Sequence, residues 1–107
     1  MKGTRMHTVS LTQPVILDSS TPGTSVSLAI VVENATQPPN TQPGTISVDF
    51  NGETATADFN VTINDTVKPS ATVVMTSAPN LDVTVGNAVL SAGTTDRWQI
   101  PVTFTVT

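Results

Sequence analysis

The chain has 107 residues, no Cys and a formal net charge of −4. That length holds one domain with a core large enough to stand without staples, the missing Cys excludes disulfides, thiolate metal sites and Cys nucleophiles, and the acidic balance argues against nucleic acid and anionic membrane. Only 11% of residues are charged, against about 25% in an ordinary globular protein.

Residues 1–6 read as an arm. They carry Lys2 and Arg5, two of the four basic residues, and show no periodicity. The apolar run that a signal peptide needs after such residues is broken by Thr, Ser, Gln and Pro, so no targeting segment is expected. No stretch approaches the ~20 apolar residues of a membrane span. Residues 7–107 read as a single β domain.

Val9, Leu11, Val15 and Leu17 share one parity, which predicts a first strand over residues 7–17. Pro14 interrupts it and cannot donate to a ladder, so the strand is expected at an edge or bulged there. Residues 18–23, DSSTPG, form a turn cluster. Residues 25–33 predict a second strand with Val26, Leu28, Ile30 and Val32 on one face. Its other face is only partly polar, so a central place is expected. Residues 34–43, NATQPPNTQP, predict a polar loop containing Pro38, Pro39 and Pro43. Projecting loops of this kind are where partner contacts are often made.

Ile46, Val48 and Phe50 alternate up to Asn51 and Gly52, and Ala55, Ala57, Phe59, Val61 and Ile63 alternate after them. Asn-Gly between alternating runs predicts a type I′ hairpin, whose two central residues both need positive φ. Phe50 then faces Glu53, Val48 faces Ala55 and Ile46 faces Ala57. Residues 64–68 predict a turn, and residues 69–77 a strand with Ala71, Val73 and Met75 together. Leu81, Val83 and Val85 mark a short strand. Gly86 and Asn87 predict a second two-residue turn that sets Val83 opposite Leu90.

The last strand, residues 96–107, alternates without a break: Trp98, Ile100, Val102, Phe104 and Val106 on one side, Arg97, Gln99, Pro101, Thr103, Thr105 and Thr107 on the other. A period of two buries one face and wets the other. The expected core is Trp98, Ile100, Val102, Phe104, Val26, Leu28, Ile30, Val48, Phe59 and Val61. Seven or eight short strands at roughly ten-residue spacing predict an all-β chain, a single antiparallel β-sandwich, immunoglobulin-like or a small jelly roll.

The catalytic inventory is thin. His7 is the sole His, and no acid stands near it in sequence. No acids are spaced like a calcium loop. Asp49 and Asp58 are expected on the outer face of the hairpin, where a carboxylate pair lacks the burial that raises a pKa. No Ser has the partners of a triad, and the scattered glycines cradle no phosphate. The single Trp lies on the core parity, which argues against a sugar platform. The triplets at Asn34, Asn60 and Asn64 match glycosylation sequons, as chance provides in a chain rich in Asn and Thr. No enzyme, cofactor or metal is expected.

This Cys-free, charge-poor, Thr- and Val-rich small sandwich resembles bacteriophage virion proteins, the small immunoglobulin-like domains that decorate capsids or tail tubes. The resemblance is one of composition and architecture over the whole chain. It implies repeated copies on a protein lattice, often as trimers, dressing or stiffening a shell in the virion. A pilus or adhesin subunit at the cell surface, completed by strand exchange, is the second reading; the chain lacks a signal peptide and the Tyr-bearing ending of pilins. An immunoglobulin-like spacer domain of a longer protein is the third. The expected partners are a protein lattice or copies of the chain itself, as a homo-oligomer, with no nucleic acid and no membrane. The residues expected to touch them are Lys2, Arg5 and His7 in and beside the arm, Pro38 and Pro39 in the polar loop, and Thr103 and Thr105 on the last strand. The last two and Thr107, with Ser10 and Thr12, would make a neutral, hydroxyl-rich face.

Overall fold

Alternation gives each strand one apolar face, and two sheets close those faces on each other. A computed structural model of the chain describes residues 8–12, 15–33, 40–64, 67–77, 80–94 and 97–107. In chain order the strands are β1 (Thr8–Leu11), β2 (Val15–Leu17), β3 (Ser25–Glu33), β4 (Asn40–Phe50), β5 (Glu53–Asn64), β6 (Val67–Met75), β7 (Leu81–Val85), β8 (Val89–Leu90) and β9 (Arg97–Val106). One sheet runs β1-β3-β9-β7, with β8 also on β9; the other runs β2-β4-β5-β6. The chain is all-β with a two-sheet, sandwich-like core. Ile30, Ile100, Val102 and Phe104 of the first sheet are fully buried in one cluster with Ile46, Val48, Val61 and Ile63 of the second.

The parity read for β9 holds along its length, with every even residue from Ile100 to Val106 buried. Val26 and Trp98 are the least covered of the expected core. Both are half-buried at the margin of the cluster. Each is the second residue of its strand, where the facing sheet gives less cover.

The predicted first strand is two strands in two sheets. β1 pairs antiparallel with β3, and β2 pairs parallel with β4. Keeping one chain direction while changing sheets makes the second pairing parallel, so the sandwich is not wholly antiparallel. Val15 and Leu17 are buried in the second sheet, and Ile16 between them is 58% exposed. Pro14, where the break was expected, lies outside the described residues.

Residues 40–43, read as loop, belong to β4 and pair with residues 60–63 of β5. Pro43 escaped as a strand residue because its neighbours are polar. Among the described residues β4 is covered only at Val48–Phe50, where Val15–Leu17 pair with it, so Pro43 stands on an edge open among them, where a missing N–H costs no ladder bond.

The Asn51-Gly52 hairpin forms in the predicted register, Phe50 with Glu53 and Val48 with Ala55. Asn51 has φ 53° and Gly52 φ 82°, the two left-handed residues of a type I′ turn. Asn51 Nδ2 also donates to the Ser19 carbonyl at 2.9 Å, tying the turn to the residue 18–24 segment. Gly52→Val places a β-branched residue at positive φ. Chemical denaturation is expected to show a loss of about 1–3 kcal/mol, and an unchanged midpoint would mean the turn has another form.

Gly86 and Asn87 make no turn. β7 and β8 run in the same direction along β9, Val85 opposite Val102 and Val89 opposite Gln99. Three residues of one edge face two of β9, which is a bulge. The cause is Pro101. Gly86 N–H donates to the Pro101 carbonyl at 2.9 Å, but Pro101 has no N–H to return. A Cβ on Gly86 would also lie 2.7 Å from Pro101 Cγ. The reversal falls later, at residues 91–94, where Gly93 has φ 78° and Ser91 N–H donates to the Arg97 carbonyl at 2.8 Å.

Candidate functional site

β9 is an interior strand, flanked by β3 on one side and by β7 and β8 on the other. Pro101 therefore lies inside the sheet and guards no edge. Thr103 and Thr105 point outward and are half-buried among neighbours. Thr103 lies between Ser27 and Thr84, and Thr105 between Ser25 and Asp82. The Ser27 and Thr103 hydroxyls share a hydrogen bond of 2.8 Å. Two adjacent rows across three strands thus carry five hydroxyls and the one carboxylate of Asp82.

Ser10 and Thr12 lie on the same side of the molecule but in different rows. Ser10 is opposite Val31, and Thr12 Oγ1 accepts from Ala29 N–H at 3.0 Å. Val31 shares the outward parity and is nevertheless buried. The hydroxyl patch around Thr103 is separated from β1 by the Ala29 and Pro101 row.

Lys2, Arg5, His7, Pro38 and Pro39 lie outside the described residues. The strands that flank them end together, since Thr8 pairs with Glu33 and Glu33 with Arg97. Thr105 lies eight residues further along β9, roughly 27 Å at about 3.4 Å per residue. Thr103 and Thr105 therefore form a patch beside the start of β3 and remote from Thr8 and Glu33, where β1 begins and β3 ends.

A second hydroxyl-bearing face lies on the other sheet, and sequence reasoning did not single it out. Ser47, Thr56 and Thr76 form one row, and Thr45, Asp58 and Val74 the next. The Thr56 and Thr76 hydroxyls are 2.7 Å apart, and Thr45 Oγ1 donates to Asp58 Oδ1 at 3.2 Å. The signal was present in the hairpin register, which sets Ser47 beside Thr56 on the outward parity. Asp49 and Asp58 both face outward on it, two rows apart along the ladder. No protein family, curated protein or solved structure matches this chain.

Concave features are shallow. One of about 640 Å³ is an open groove between β6 and β7 lined by Val73, Met75, Leu81 and Val83 among others. A smaller one of about 310 Å³ continues the same seam past Ala71 and Val85. Among the described residues no three acidic or His side chains converge. The groove offers apolar surface and backbone, with Asp82 as its one charged lining residue.

Proposed function

We propose that this chain is a non-enzymatic structural protein that binds a protein lattice, as a capsid or tail decoration protein of a bacteriophage virion does, in repeated copies. The immunoglobulin-like assignment of the sandwich belongs to the same proposal, supported by two packed sheets and a first strand divided between them. The observation that carries the reading is the outer face of the first sheet. Its Ser25, Ser27, Thr84, Thr103 and Thr105 hydroxyls form a continuous patch with Asp82 as the only charge. Soluble monomers commonly cover such faces with Lys and Glu. A hydroxyl patch loses little on being dehydrated against a partner, because backbone groups and trapped water satisfy it.

Lysines at Thr103 and Thr105 put two charges in the middle of that patch. They stand on the outer side of a strand whose opposite side is core, so the fold is expected to hold, with a loss of about 1 kcal/mol for the Ser27–Thr103 hydrogen bond. Co-sedimentation with purified phage capsids and tail tubes is expected to fall at least ~tenfold, a loss of about 1.4 kcal/mol. Deleting residues 1–6, with Lys2 and Arg5, is expected to weaken binding separately. A parent that pellets with neither particle, or variants that bind like it, would overturn the reading.

A further inference from the structure

Among the described residues the two sheets expose four edges, and three are guarded. β1 and β2 are four and three residues long. The uncovered part of β4 carries Pro43, and the β7–β8 edge is broken by the bulge at residues 86–88. Short strands, prolines and bulges are the devices that stop sheet edges from pairing. β6 has them only at its start, where Pro69 lies beside a register shift against β5. From Ser70 to Met75 its ladder with β5 is regular, and no charged residue occurs between Lys68 and Asp82.

The ladder shows which β6 groups are free. Thr76 N–H donates to the Thr56 carbonyl at 2.9 Å. In an antiparallel pair the backbone groups of successive residues point alternately to the two sides. Thr72 and Val74 therefore bond to β5, while Ala71, Val73 and Met75 turn their N–H and C=O groups to the open edge. The same three side chains face inward onto the seam and are only half-buried. Val74, on the outer face, is 64% exposed.

We propose that β6 pairs antiparallel with β6 of a second copy, about a two-fold axis at Val73. This deepens the assembly reading and rests on it for the presence of repeated copies. The register sets Val73 on its own copy and Ala71 on Met75, so every free donor meets a free acceptor, for about six bonds between copies. Pro69, which has nothing to donate, falls outside the paired residues. The choice of a second copy follows from the edge being uncharged from Pro69 onward and matched to itself in this register. Each chain carries −4, and this edge brings no acid of β6 against its mate. Isologous pairing also satisfies both edges at once and closes the assembly. The half-buried Val73 and Met75 of each copy then complete each other's seam.

The test is sedimentation velocity of the full chain from ~1 µM to ~1 mM. A reversible dimer is expected. Ala71→Pro removes an edge donor without touching a β5 bond and is expected to raise the dimer dissociation constant at least ~tenfold. Thr72→Lys with Val74→Lys sets like charges opposite each other across the axis and is expected to give a monomer with an unshifted melting curve. The corresponding pair of Glu substitutions is expected to do the same, and mixing the Lys and Glu proteins is expected to restore a heterodimer. A parent that is monomeric throughout, charged variants that dimerise like the parent, or a mixture that stays monomeric would each overturn the proposal. The Thr103 and Thr105 lysine variants are expected to dimerise normally, so failure of the lattice reading and failure of this one are separable.

Discussion

Phe104→Ala is expected to lower stability by about 3–5 kcal/mol, the range for removing a buried aromatic ring. Phe104 is fully buried in the interior strand β9, between Val26 of β3 and Val83 of β7. Strands on both sides hold the backbone, so the site has little freedom to collapse around the missing ring. A domain with the usual margin of about 5–15 kcal/mol would lose a large part of it. Urea denaturation of the two proteins measures the difference. A loss under roughly 1 kcal/mol, usual for surface positions, would mean that β9 presents its other side to the core.

Gly44→Val is expected to be comparably damaging, for the opposite reason. Gly44 pairs with Phe59 across β4 and β5, on the inward parity. The Phe59 ring lies over the glycine and fills the place of a Cβ. Phe59 is itself buried in the core cluster, so the ring cannot swing aside without leaving the core. Overpacking of this kind costs about 1–3 kcal/mol, and expulsion of the ring adds the loss of its burial. Thermal melts of Gly44→Val alone and together with Phe59→Leu test the mechanism. The second substitution is expected to restore part of the stability, because it shortens the side chain that collides. If the double variant is worse than the single by the full cost of Phe59→Leu, the two residues do not compete for that space.

The sequence by itself determined what depends on neighbours in the chain. Period-two alternation decides which side of β3, β5 and β9 is buried, since a strand turns each side chain opposite to the last. Asn51 and Gly52 determine a turn and, through it, the register of β4 on β5, because a two-residue loop leaves no slack. The outward hydroxyls at Thr103 and Thr105 follow from the same alternation. Alternation is silent where a strand has little apolar content, and so Asn40–Pro43 of β4 read as loop. Gly86 and Asn87 read as a turn because a bulge and a two-residue turn call for the same small and polar residues. Which strands lie beside which was left to tertiary structure. β9 is interior because β3 and β7, from distant parts of the chain, both present their edges to it. Pro101 then meets Gly86, and the bulge follows from that meeting. The division of residues 8–17 between two sheets, and the unguarded edge at Ala71, Val73 and Met75, have the same origin. An edge is the absence of a neighbour, and neighbours across a sheet are chosen by the packing of the whole core.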